Sequence, residues 1–179
     1  MDKHAEARFH IRAGRPEDAS DIASLHVRAW QAAYAGRRLS RWPSYDERME
    51  MWSAPLRDAA GPNSVWVAGR LDDDRPMGFA LTGSCRDPDV TPGAGEIFAL
   101  YVEPELTGRG IGGALLRHAV DDLLARGHTP LLVWTLEVNE RARAFYERTG
   151  WRRDDARKLD GEETVVRYRL SDKGRDTAQ

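Results

Sequence analysis

Four glycines in the stretch Glu103–Leu116, EPELTGRGIGGALL, sit where an apolar run gives way to an amphipathic helical pattern. That arrangement suits a phosphorylated ligand. Gly108, Gly110, Gly112 and Gly113 let the backbone turn tightly and approach a ligand closely. The free N–H groups of a helix's first turn, at its positive dipole end, attract phosphate oxygens. The preceding run Glu96–Val102, EIFALYV, has the apolar, partly β-branched and aromatic character of a buried strand, and Pro104 stops it. Gly108, Gly110 and Gly113 also satisfy the dinucleotide fingerprint G-x-G-x-x-G, with a strand before it and a helix after it. That fingerprint further wants a doubly wound sheet and an acidic residue about 20 positions on. Here the chain continues with one apolar strand, Pro130–Leu136, one helix, Asn139–Arg148, and short Arg- and Asp-rich, strand-like segments, so too little remains for it.

A second motif, VNERARAFYERTGW (Val138–Trp151), separates the two readings. Together with VEPELTGRGIGGALL it resembles the GCN5-related N-acetyltransferase (GNAT) superfamily, whose pyrophosphate loop is written [Q/R]-x-x-G-x-[G/A]. In this chain the hexad is Thr107, Gly108, Arg109, Gly110, Ile111, Gly112, with Thr107 standing where Gln or Arg is common. A backbone cradle tolerates that change, and the threonine hydroxyl is a further donor. The resemblance spans about residues 8–170 and is specific between Glu96 and Trp151.

The resemblance implies a single α/β (α+β) domain over residues 1–179, with a core of about 8–170 and a twisted, mostly antiparallel mixed sheet flanked by helices. It implies that the strands from Glu96 and Pro130 are parallel neighbours that splay apart to form an acetyl-CoA cleft. Acetyl-CoA, as co-substrate, would lay its pyrophosphate on Thr107, Gly108, Arg109, Gly110, Ile111, Gly112 and Gly113. Its pantetheine arm would run beside Leu100, Tyr101 and Val102 and reach Asn139. The reaction implied is acetyl transfer to a primary amine of a small molecule or peptide, by direct attack in a ternary complex. That chemistry needs a neutral amine, a polarised thioester carbonyl and a proton for the departing thiolate. Tyr146 matches the family tyrosine whose hydroxyl points at the sulfur and acts as general acid, although its spacing with Ala142 and Phe145 also suits core packing. Asn139 also suits a helix N-cap. Glu96 is the preferred general base, with Glu103 and Glu137 as strand-end alternatives. The N-terminal helices wall the acceptor side in this family, which makes Trp30 and Tyr34 substrate candidates, although large aromatics near a first helix are also common core residues. A non-catalytic acyl-CoA sensor or scaffold on the same fold is the alternative, and the family's exposed sheet edges suggest a homodimer.

The elements that must position these residues are legible from pattern. Arg8–Ala13 reads as a first strand, and Pro16 with Glu17 and Asp18 opens a helix to about Tyr34, which Gly36 ends. A second helix is expected over about Tyr45–Trp52. Ser64–Leu71 and Met77–Ser84 form a hairpin about an Asp-rich turn with Pro76, and Asp87–Gly95 is a loop. Ser171–Gln179 reads as a frayed polar tail.

Composition narrows the classes. With 27 basic and 29 acidic residues the formal net charge is −2, so no global field recruits nucleic acid or an anionic membrane. Cys85 is the sole cysteine, which excludes an intramolecular disulfide and a multi-cysteine zinc site. His10, His26, His118 and His128 show no paired metal spacing, so no metal is expected. No serine or cysteine lies in a G-x-S-x-G elbow. No run approaches the roughly 18 apolar residues of a membrane span, and no signal core opens the chain, so a cytoplasmic protein is expected.

Overall fold

A computed structural model describes residues 8–58 and 61–170; the polar stretch Ser171–Gln179 lies outside the described residues. Seven strands form one sheet: β1 (Phe9–Ala13), β2 (Asn63–Arg70), β3 (Pro76–Ser84), β4 (Gly95–Val102), β5 (Leu131–Leu136), β6 (Trp151–Asp160) and β7 (Glu163–Leu170). Their order across the sheet is β1-β2-β3-β4-β5-β7-β6, and every neighbouring pair is antiparallel except β4 and β5. The mixed, mostly antiparallel sheet with one central parallel pair is the architecture expected.

Helices cover both faces. α3 (Ile111–Ala125) and α4 (Glu140–Arg148) lie over one face; the core there gathers Ile111, Leu115, Leu123 and Tyr146 against Ile97, Val133, Val166 and Tyr168. α1 (Ala19–Ala33) and α2 (Tyr45–Arg57) lie over the other, with Ile22, Leu25, Trp52 and Leu56 against Val67, Phe79 and Ala99. α1 has Asp18 as its N-cap and Tyr34 as its C-cap, so Tyr34 stands just beyond the helix. The α2 start is a capping box: the Glu47 N–H donates to Ser44 Oγ at 3.3 Å, and the Ser44 N–H donates to Glu47 Oε2 at 3.0 Å. The helix runs five residues past the expected Trp52, through Pro55, because its last turn delivers the buried Leu56 onto Val65. A proline there loses one helical bond.

The parallel pair holds for only three residues, Gly95–Ile97 against Leu131–Val133. Beyond it β4 pairs with β3 alone and β5 with β7 alone. The cause is visible in the register of β3 and β4: Leu81 pairs with Ala99 and Thr82 with Ile97, which leaves Phe98 as an extra residue. Such a bulge bends its strand and strengthens the local twist. Phe98 and Ala99 consequently both face α1 and α2, whereas Ile97 and Leu100 face α3. The bend carries β4 away from β5.

The segment between β3 and β4 is tied down by a buried guanidinium on β7. Arg167, 4% exposed, donates to Asp87 at 3.1 Å, to both oxygens of Asp89 at 2.9 and 2.8 Å, and to Asp154 at 2.8 Å. Asp87 also accepts from Lys158 at 2.9 Å and from the Trp134 indole at 2.7 Å. Four elements thus meet at one charge cluster. Removing one partner from such a cluster leaves buried charge unpaired, so Arg167→Ala is expected to cost about 3–5 kcal/mol of stability. Urea unfolding checks it; a loss below about 1 kcal/mol, the range of a surface ion pair, would refute the buried-cluster reading.

Candidate functional site

The glycine-rich turn takes the form its sequence demands. A short 3₁₀ turn, Pro104–Leu106, follows β4, and Gly108 and Gly110 both sit at φ +82°. A side chain costs about 1–2 kcal/mol in that left-handed region. A Cβ at either position would meet no atom within 4 Å, so backbone conformation and not crowding requires glycine there. Gly110 is the N-cap of α3, and the helix's first bond is from the Ala114 N–H to the Gly110 carbonyl at 3.0 Å. The N–H groups of Ile111, Gly112 and Gly113 precede that bond and have no helical acceptor. At Gly112 and Gly113 an added Cβ would find only ordinary contacts, the nearest at 3.6 Å.

Two residues of the loop differ in what they offer. Arg109 is exposed and makes no ion pair among the described residues. The Thr107 hydroxyl donates to the Pro104 carbonyl at 2.7 Å and so closes the turn in this structure. Leu100, Tyr101 and Val102 occupy the part of β4 that has parted from β5. A strand edge without a neighbour presents N–H and C=O groups for pairing.

Tyr146, on α4, is 5% exposed and packs against Phe145, Trp151 and Tyr168 with ring centroids 5.4, 5.9 and 6.0 Å away. Its hydroxyl makes no hydrogen bond among the described residues. Burial pushes the phenol pKa well above its ordinary value, and the nearby Tyr34 adds to that. The ring is a core residue while the hydroxyl remains without a partner, so packing and a free donor coexist in one side chain. Asn139 is the α4 N-cap: its Oδ1 accepts from the Ala142 N–H at 3.0 Å, and its amide donates to the Tyr34 hydroxyl at 3.0 Å. One amide proton of Asn139 is left over.

On the other face, a cavity of about 510 Å³ lies between the end of α1, the segment 39–43, α2, the C-terminal end of β5 and the β6–β7 turn. Trp30 lines it, together with Arg48, Met51 and Leu136. Tyr34 does not: it is drawn inward, 4% exposed, and its ring lies 4.9 Å from that of Trp30. The hydrogen bond from Asn139 links Tyr34, and through it the Trp30 wall of that cavity, to the helix that carries Tyr146.

Of the three acidic candidates, the structure separates Glu96 from the others. Glu103 pairs with Arg28 at 2.7 Å, and Glu137 is held by Arg153 and Arg157 at 2.9 and 2.7 Å, which lower its pKa. Glu96 is 7% exposed, one residue before the parting of β4 and β5, and its pKa is raised first by burial and then by Asp87. It is outside the 510 Å³ cavity and lies instead under the β3–β4 loop, where Cys85, Asp87 and Glu96 offer ligand atoms within 4.8 Å of one another. The sequence did not bring those three together. The oxygens of Asp87 already accept from Lys158, Trp134 and Arg167, so the trio belongs to the charge cluster that ties the loop.

Comparison with known proteins agrees with this geometry. The model of the acetyltransferase (GNAT) family matches residues 21–151. A Mycobacterium tuberculosis protein named as a probable N-acetyltransferase is 30% identical over 144 residues, covering 78% of each chain. The mycothiol acetyltransferase of Clavibacter sepedonicus is 31% identical over 136 residues, which are 76% of this chain and 40% of that protein. Among solved structures, the PaiA N-acetyltransferase of Thermoplasma acidophilum in complex with coenzyme A superposes with a TM-score of 0.68 at 20% identity, covering 89% of this chain and 97% of that one. The parted central strands, the left-handed glycines before α3 and the family match over most of the sequence lead to one conclusion: this chain belongs to the acetyltransferase (GNAT) family.

Proposed function

We propose that this protein is an acetyl-CoA-dependent N-acetyltransferase that acetylates a primary amine of a small molecule or peptide by direct attack within a ternary complex. The observation that carries the reading is the parting of β4 from β5 after Ile97, beside a turn whose N–H groups have no acceptor. A pyrophosphate suits the N–H groups of Gly108–Gly113, and Arg109 adds an exposed cation. A pantetheine arm carries amide groups, so it can pair along Leu100–Val102 as an added strand would. The spare amide proton of Asn139 is a further donor to that arm.

Acetyl-CoA supplies an activated thioester carbonyl when bound; the chain's residues then handle protons. Tyr146 is protonated across the neutral range because burial raises its phenol, and its unpartnered hydroxyl gives a proton to the sulfur as the C–S bond breaks. Glu96, the one buried and upshifted carboxylate of the three, takes a proton from the substrate ammonium, directly or through water, and the neutral amine so formed attacks the thioester carbonyl. Trp30 forms an aromatic side of the acceptor cavity, and Tyr34 fixes that side to Asn139. A non-catalytic acyl-CoA sensor would share the cleft but has no use for an unpartnered Tyr146 hydroxyl. Melting-temperature titration with acetyl-CoA and NAD, paired with thiol release in the presence of pooled amines, separates these readings. An enzyme is stabilised by acetyl-CoA and releases thiol only with amine; stabilisation without release would favour the sensor, and a response to NAD alone would overturn both.

For Tyr146→Phe, kcat is expected to fall about 100-fold while the acetyl-CoA Kd changes less than about twofold. An unchanged kcat across the pH range would remove Tyr146 from proton transfer. Glu96→Gln carries two expectations. As the base, Glu96 must be ionised, so kcat/KM should rise with pH through its upshifted pKa, and the variant should lose that limb. In stability the sign is opposite. The folded chain binds the Glu96 proton more tightly than the unfolded chain, so this group's contribution falls as pH rises from about 4.5 through the native value. The variant should therefore be more stable than the parent at neutral pH, with the difference closing below about pH 4.5. Denaturant unfolding at both pH values checks it, and a variant less stable at neutral pH would contradict the burial argument.

A further inference from the structure

The acceptor cavity holds a cation without a counter-ion. Arg48, on α2, lines it, and its guanidinium carbon lies 5.9 Å from the centre of the Trp30 ring. Its Nε is buried with no hydrogen-bond partner, and one terminal nitrogen donates only to the Met51 sulfur at 3.2 Å, a weak acceptor. No carboxylate lies within ion-pair distance of it among the described residues. The acids at the cavity rim do not fill the role: Glu47 is bound to Arg41 and to the Ser44 N–H, Glu163 accepts from the Ser40 N–H at 3.2 Å, and Glu50 and Asp160 are exposed. The Trp30 indole N–H, on the same wall, is buried and also without an acceptor. Partial burial depresses the pKa of the Arg48 guanidinium.

Two adjacent orphan donors, one of them cationic, ask for an anionic acceptor. A guanidinium presents its N–H groups in a planar fork that matches a carboxylate. The location relates that demand to the reaction. Trp30, beside Arg48, lies 4.9 Å ring to ring from Tyr34, whose hydroxyl accepts from Asn139 at the head of the helix that carries Tyr146, so one chain of contacts joins the unpaired cation to the element bearing the proposed acid. We infer that the amine acceptor also carries a carboxylate, which Arg48 binds with help from the Trp30 indole N–H, so that the substrate class is a small amino acid or an amino-acid-like zwitterion. This inference rests on the acetyltransferase reading and narrows its acceptor.

The test uses the full chain, acetyl-CoA and matched pairs of amines: glycine, β-alanine, γ-aminobutyrate and the other standard L-amino acids, each with its carboxamide. Aminomethylphosphonate and a dipeptide series distinguish a carboxylate from any anion and a free amino acid from a peptide. Comparing Arg48→Gln with the parent cancels the difference in amine basicity within each pair. For the carboxylates, kcat/KM is expected to fall about tenfold or more in Arg48→Gln, as for loss of a charge-assisted hydrogen bond, and for the carboxamides to change less than about twofold. Arg48→Lys should recover part of the loss, since it keeps the charge without the fork. The acetyl-CoA melting response should be the same in all three proteins, which reports on the cleft independently of the acceptor. If no amine turns over, N-acetylated amino acids in the presence of CoA should still raise the melting temperature of the parent and not of Arg48→Gln. Equal losses for carboxylates and carboxamides, or no Arg48-dependent binding of either substrates or products, would overturn the inference while leaving the acetyl-CoA response to judge the enzyme.

Discussion

One extra residue in β4 sets the rest of the molecule. The bulge at Phe98 ends the β4–β5 pairing at Ile97 and Val133, and without it two parallel apolar strands would pair to their ends and close the sheet. A cleft at the C-terminal ends of parallel strands is where open α/β sheets admit ligands. Here the bulge makes that cleft inside a sheet that is otherwise antiparallel. It also reverses which side chains face which helices, since Phe98 and Ala99 both pack toward α1 and α2. The α1 and α2 side thereby gains aromatic packing from the same strand whose edge lacks a neighbour beyond Ile97.

A hydrogen bond and ring contacts interlock the aromatic cluster on this side. His26, 3% exposed, accepts the Trp52 indole N–H at Nδ1 at 3.1 Å and lies 4.4 Å, ring to ring, from Tyr101. Burial first, and the Arg48 charge second, push its pKa down to about 3, so the ring stays neutral and keeps the lone pair that the indole needs. Phe79 adds edge contacts to both His26 and Trp52 at 5.6 and 4.7 Å. On the opposite side of the parted strands, Arg167 clamps the loop above Glu96. The cleft is thus bounded by a neutral aromatic cluster on one flank and a satisfied charge cluster on the other. Among the described residues the Tyr146 hydroxyl, the Arg48 Nε and the Trp30 indole N–H have no hydrogen-bond partner.

What the sequence disclosed follows from how local each signal is. The glycine turn, the Pro104 stop and the Asn139 cap each depend on a few neighbouring residues, so type and spacing announce them. The fold class followed from the same motifs through resemblance. The bulge was not legible, because EIFALYV reads as one apolar run whether or not a residue is extra; the partner register decides. Nothing in the sequence says that the Thr107 hydroxyl turns to the Pro104 carbonyl. The sequence carries the helix to about Tyr34, whereas α1 ends at Ala33 and the Tyr34 side chain turns inward to Asn139. Arg167 and Arg48 were lost among the many arginines. Arg167 meets acids up to 80 positions away, and what distinguishes Arg48 is the lack of such a partner among the described residues.

The central claim, that the parted β4 edge and the glycine turn together hold acetyl-CoA, is tested most directly by amide hydrogen exchange with and without saturating acetyl-CoA. Slower exchange concentrated at Phe98–Val102 and Gly108–Gly113, with β1 and β2 unchanged, is the result expected if the cofactor takes the place of the missing neighbour strand. Binding of acetyl-CoA without added protection at those amides, or with protection centred elsewhere, would contradict the account.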